Sequence, residues 1–128
     1  MFEAYFIDLG WLLFALFFGV AMGSMTGLIP GFHVNNVALI LLALSPVFLD
    51  WGIPLSAVAA IIVSTGTVHT FLNYIPSALL GAPDGDTALS LLPGHRMLLS
   101  GNASRGVAYS ARGSQLGLFL SLPLIIVA

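Results

Sequence analysis

Apolar residues along this chain run in long uninterrupted blocks, and the breaks between blocks carry proline, glycine and most of the few charged residues. The first block, Leu9 to Ile29, has roughly the 20 residues needed to cross a hydrocarbon layer ~30 Å thick, which predicts a transmembrane helix. Pro30-Gly31 ends it, because proline offers no N–H and glycine accepts backbone angles that stop a helix. A second apolar segment spans about Val34 to Leu49 and closes at Asp50-Trp51-Gly52, read as an interfacial turn with an aromatic anchor. The third, Ile53 to about Leu80, is long for one straight crossing and carries Ser64, Thr65, Gly66, Thr67, His69, Asn73 and Pro76 in its second half. A break or re-entrant bend is expected there. Gly81 to Asp86 reads as a turn, with a helix starting at Thr87 and capped by Asp86. Pro93-Gly94 is expected to interrupt that short apolar helix, Gly101 to Arg105 reads as a polar loop, and a fourth apolar segment from about Gly113 to Ala128 is short for a crossing.

Composition turns this reading into a membrane protein. Of the 128 residues 59% are hydrophobic and 6% charged, where a soluble domain carries about 25% charged residues. So few charges cannot cover a water-facing surface of this size. The fold class expected is an all-α polytopic membrane protein with interrupted or re-entrant helices. Cysteine is absent, which excludes disulfides and thiolate sites within these residues. A net charge of −2 and no lysine leave no basic face for nucleic acid.

Arg96, Arg105 and Arg112 all lie between the third and fourth segments, so the positive-inside rule places residues 95–112, read as a loop, in the cytoplasm of a multi-pass protein of the cell membrane. Counting back through three crossings puts Met1 outside, and Asp50 outside if the second segment crosses. The first residues lack the basic region and cleavage site of a signal peptide, so they are expected to remain in the mature protein.

Three patterns carry chemistry. Gly19, Gly23, Gly27 and Gly31 recur every fourth residue, which makes a smooth helix face where another helix can approach closely. Phe32-His33-Val34-Asn35-Asn36 places polar side chains at the start of the second segment. A helix N-terminus there could bind a carboxylate through free N–H groups, or Asn35 or Asn36 could simply cap the helix with His33 at headgroup level. Spacing leaves both accounts open. In the third segment Ser64, Thr65, Thr67, His69, Thr70 and Asn73 crowd into ten residues, with Pro76 close behind. Each hydroxyl alone could bond its own helix. Together with the carbonyls that Pro76 frees, they could supply hard oxygen ligands to a sodium ion beside a broken helix.

Asp84 and Asp86 lie in a turn, where aspartate commonly bonds the local backbone, and His95-Arg96 reads as an interfacial anchor. An enzyme is not expected: no His-Glu-x-x-His occurs, the three histidines have no ligand-like spacing, and position 83 is Pro where the Gly-x-Gly-Asp of intramembrane aspartyl proteases needs Gly.

The run Gly23-Ser24-Met25-Thr26-Gly27-Leu28-Ile29-Pro30-Gly31-Phe32-His33-Val34-Asn35 resembles the N-terminal signature of the large permease subunit of tripartite tricarboxylate transporters, closest to a divergent archaeal branch. A second block agrees in the same order: His69-Thr70-Phe71-Leu72, Ile75-Pro76-Ser77, Gly81-Ala82-Pro83, Asp86-Thr87-Ala88-Leu89 and Leu92-Pro93-Gly94-His95-Arg96. The resemblance implies ion-driven uptake of a carboxylate such as citrate by a protein of two inverted repeats. On that basis residues 1–128 form a single transmembrane domain, the N-terminal repeat or a fragment of a longer permease. It also implies as partners the rest of the permease or a second copy, a small membrane subunit and an extracytoplasmic solute-binding protein.

The expected function is thus secondary active transport of a small organic anion such as a di- or tricarboxylate. Gly31, His33, Asn35, Asn36, Asn73 and Pro76 are the candidate substrate residues, and Thr65, Thr67 and Asn73 the candidate ion residues. Sodium or a proton is the coupling ion, and no other cofactor is expected. The competing expectation is a non-transporting scaffold or accessory subunit that assembles through its glycine-rich helix face.

Overall fold

The computed structural model describes the backbone of residues 2–81 and 88–127 and the side chains of residues 9–81 and 92–124. Seven helices follow one another among the described residues: α1 (Phe2–Leu28), α2 (Val34–Ala43), α3 (Ser45–Asp50), α4 (Leu55–Leu72), α5 (Tyr74–Leu80), α6 (Ala88–Leu99) and α7 (Ala103–Val127). The protein is an all-α membrane protein. Two stretches, Leu9–Leu28 and Leu55–Leu80, are long and apolar enough to cross a bilayer. The chain falls into two compact units, Met1–Leu72 and Asn73–Ala128.

The first unit is organised by α1 against α4. Ala15 packs in one cluster with Ala57 and Ile61, Gly19 meets Ile61 and Ser64, Gly23 meets Thr65 and Val68, and Gly27 meets His69 and Leu72. Positions on both helices advance together, so the two run parallel. The approach is close because the seam of α1 carries no large side chain. A Cβ at Gly23 would lie 2.6 Å from the Thr65 carbonyl oxygen. The opposite face of α1 is aromatic and exposed, with Phe14 and Phe18 stacked at 6.1 Å and Phe17 the most exposed of the set. Small residues inside and large apolar residues outside is the arrangement a lipid solvent favours, since lipid gives no reason to hide a phenylalanine.

Parallel packing fixes the path between these helices. The chain leaves α1 at Leu28, level with the C-terminal half of α4, and must return by roughly 20 Å at 1.5 Å per residue to begin α4 at Leu55. α2 and α3 make that return. The apolar segment that reads as one helix from Val34 to Leu49 is divided at Leu44, where Ser45-Pro46 starts a new helix with proline in its first turn. Gly31, at φ +87°, turns the chain after α1 in a conformation that L side chains rarely adopt.

The break expected in the third segment is a single residue, Asn73, between α4 and α5. Its backbone stays right-handed helical, at φ −63° and ψ −19°. Pro76 removes only one donor, that of the Leu72 carbonyl, while Asn73 O still accepts from the Ser77 amide at 3.2 Å.

In the second unit, two expectations are corrected. Pro93 does not interrupt α6, which runs through it from Ala88 to Leu99; a proline costs one backbone bond and a bend, and the leucines around it are good helix formers. Gly94 next to it is where α5 presses in, with the Tyr74 ring and the Ala78 methyl at the place a Cβ would fill.

Residues 95–112 are not a loop either. α6 ends in a Schellman motif, with Asn102 N donating to Met97 O at 2.7 Å, Gly101 N to Leu98 O at 3.0 Å, and Gly101 at φ +76°. That tight turn lets α7 begin at Ala103, so Arg105 and Arg112 lie on a 25-residue helix that absorbs the fourth apolar segment. The turn expected at residues 82–86 and the cap at Asp86–Thr87 lie outside the described residues.

Candidate functional site

Buried positions recur every fourth residue along α4 and continue into α5: Ala57, Ile61, Thr65, His69, Asn73 and Ser77. The stripe begins apolar and becomes polar. Within the first unit its α4 part lies against Ala15, Gly19, Gly23 and Gly27, so the polar groups are enclosed by a neighbour that offers backbone and almost no side chain.

The polar side chains along this stripe differ in how they are satisfied. Ser64, beside it, donates to Ala60 O at 2.6 Å, and Ser77 donates to Asn73 O at 2.7 Å. His69 is buried, and its Nδ1 lies 3.1 Å from Thr26 Oγ1 on α1. Thr65 and Asn73 contrast with these. Thr65 Oγ1 is buried with no hydrogen-bond partner, and so are both Nδ2 and Oδ1 of Asn73. Thr65 is 1% exposed and Asn73 4%. A buried polar group left unpaired costs about 1–3 kcal/mol, so these three atoms call for partners that the described residues do not supply.

Of the sequence-derived candidates, Thr65, Asn73 and Pro76 are buried. Thr67, two residues along, is exposed and its hydroxyl donates to Val63 O at 2.8 Å within its own helix. Gly31, His33, Asn35 and Asn36 are all exposed at the start of α2. His33 occupies the N-cap position with extended backbone and no side-chain cap bond, so neither asparagine is the cap residue. Their amides stand on the first turn of a helix, where backbone N–H groups lack internal acceptors. In that unit a pocket of about 110 Å3 is lined by Met22, Met25, Thr26, Ile29 and Phe32. Its wall is apolar, and it is far smaller than the ~300 Å3 at which ligand pockets begin.

Sequence reasoning did not single out Thr26, the partner of His69, or Ser77, which caps the Asn73 carbonyl. Both sit at intervals that would have marked them, Thr26 beside the glycine series and Ser77 four residues after Asn73. His95, read as an interfacial anchor, is half-buried with Nδ1 unpartnered. The glycine face of α1 is covered by α4, so Gly19, Gly23 and Gly27 are not open for assembly with another subunit.

A family model described as the tripartite tricarboxylate transporter TctA family matches residues 13–128. An uncharacterized protein of Methanocaldococcus jannaschii is 39% identical over 111 residues, which cover 86% of this chain and 26% of that protein. The chain thus spans about a quarter of the length of the curated relative it matches. No solved structure matches it.

Proposed function

The chain belongs to the tripartite tricarboxylate transporter TctA family, and from that membership we propose that it is part of a secondary-active permease that moves a small organic anion, a di- or tricarboxylate, across the cell membrane with sodium ions or protons. The observation that carries this reading is the burial of Thr65 and Asn73 without partners in a stretch apolar enough to cross a bilayer. Polar side chains at membrane depth are costly and mark ion or substrate paths when they face protein.

In this reading α1, the α2–α3 return and α4–α5 cross the membrane in turn, and the stretch is one repeat of an inverted pair. Thr65 and Asn73 each serve the cation, while Thr67 lies on the opposite, outward face of α4 with its hydroxyl bonded to Val63 O. Asn73 and Pro76 shape the substrate site, and Gly31, His33, Asn35 and Asn36 meet the anion at the α2 N-terminus. A small membrane subunit and an extracytoplasmic solute-binding protein complete the system.

The test uses the full-length permease in proteoliposomes, with its binding protein supplied, and labelled citrate as probe. An inward sodium or proton gradient is expected to drive uptake. Asn35→Ala and Asn73→Ala are expected to abolish it while membrane insertion stays intact. Gradient-independent citrate levels in the wild type, repeated with malate and succinate, would remove the reading.

A further inference from the structure

α7 sorts its side chains by size. Gly106, Ser110 and Ser114, at every fourth position, lie on the side covered by the rest of the second unit: Gly106 is buried against Met97 of α6, and both serines are half-buried. Arg105, Tyr109, Arg112 and Leu116 follow one another along the opposite side of the helix, and all four are exposed. Phe119 and Leu120 extend that side, 68% and 73% exposed. Helices in a membrane meet through small residues and leave large ones to lipid. The open side of α7 is the large one, so its composition suits lipid and not another helix.

The same side also changes character along its length. Arg105 and Arg112 stand two turns apart, about 10 Å along the axis, with the Tyr109 phenol between them, and α7 has no acidic residue to pair with either. From Leu116 onward the side presents only carbon. Guanidinium and phenol followed by hydrocarbon matches the build of a phospholipid, whose phosphate sits at the water boundary and whose chains run inward. Tyrosine is enriched at that boundary, and arginine takes phosphate oxygens through paired N–H donors. A zwitterionic headgroup would bring an ammonium up to the two arginines. An anionic one brings no such repulsion, and each basic side chain near an anionic surface adds to the attraction.

We propose that this side of α7 binds an anionic phospholipid. Arg105 and Arg112 hold the headgroup phosphate, the Tyr109 hydroxyl donates to one of its oxygens, and an acyl chain lies along Leu116, Phe119 and Leu120. A soluble phosphate would make only the first half of this contact. The inference does not depend on what the permease carries.

The experiment uses the full-length permease in lipid nanodiscs and phosphatidylglycerol with a photoreactive diazirine in its acyl chain, with cross-links mapped by peptide mass spectrometry. Labelling is expected at residues 116–124, at least about tenfold above that by phosphatidylcholine carrying the same chain, from a contribution of about fivefold per arginine. Arg105→Gln with Arg112→Gln is expected to lower phosphatidylglycerol labelling to the phosphatidylcholine level. Lysine at both positions is expected to restore most of it, which separates lost charge from lost folding. Arg96→Gln, on α6, is expected to leave labelling within about twofold, and so is an excess of free glycerol phosphate.

Absence of any cross-link on α7 would overturn the proposal, because the side would then be covered by the remainder of the permease. Equal labelling by the two lipids would reduce it to ordinary contact with hydrocarbon and overturn the headgroup site. An equal loss in Arg96→Gln would mean diffuse surface charge, and competition by glycerol phosphate would mean a site for a soluble anion; either result refutes the assignment.

Discussion

His69 Nδ1 lies 3.1 Å from Thr26 Oγ1, a side-chain hydrogen bond that ties α4 to α1. Thr26 has a single hydroxyl proton, and the acceptors within reach of it on its own helix are the Met22 and Gly23 carbonyls at 3.0 and 3.3 Å. Replacing Thr26 with valine keeps the shape and takes the hydroxyl away from the buried His69 ring nitrogen, a loss of about 1–3 kcal/mol. A thermal melt of the purified permease is expected to fall by several degrees for Thr26→Val and by little for Thr26→Ser. Equal melting of all three would mean the bond contributes nothing.

Close approach at the α1–α4 seam gives a second prediction. A Cβ at Gly23 meets the Thr65 carbonyl at 2.6 Å and the Val68 Cβ at 2.8 Å, and both are too rigid to yield. Gly23→Ala is expected to destabilise the fold by ~1–3 kcal/mol through overpacking. Gly10, on the same helix, has nothing within 4 Å of its Cβ position. Gly10→Ala is expected to be neutral or slightly stabilising, so the difference between the two alanines measures the seam and not helix propensity.

The parallel direction of α1 and α4 can be read by cross-linking, since residues 1–128 contain no cysteine. Ala15→Cys with Ala57→Cys is expected to form an intramolecular cross-link on mild oxidation in membranes. Ala15→Cys with Leu72→Cys, which an antiparallel pair would bring together, is expected to form none. The reverse result would refute the packing.

Thr65 and Thr67 separate burial from exposure at almost the same place in the chain. Thr65→Val removes an unpaired buried hydroxyl and is expected to raise stability by ~1 kcal/mol while lowering gradient-driven citrate uptake, the trade seen where function needs a strained or unsatisfied group. Thr67→Val removes a hydroxyl already bonded to Val63 O and is expected to change stability by less than ~0.5 kcal/mol. Uptake undiminished in Thr65→Val would take Thr65 out of the ion site.

Block length and composition were enough to establish apolar helices of membrane length at Leu9–Leu28 and Leu55–Leu80, because no fold in water could bury so many large apolar side chains. The stop at Pro30-Gly31 and the smooth glycine face were equally legible, since both are properties of the residues themselves. What that face touches was not. A series of glycines specifies that something comes close and says nothing of which helix or in which direction, and the parallel partner α4 is a product of packing. The same packing decided that Thr65 turns inward and Thr67 outward: two residues apart on a helix they take opposite faces, and the sequence alone does not say which face is covered. Pro93 and the region around Gly101 were misread because a proline or a polar turn residue is compatible with both a bend and a stop. Only the fit of Gly94 against Tyr74, and the Schellman turn at Gly101, chose between them.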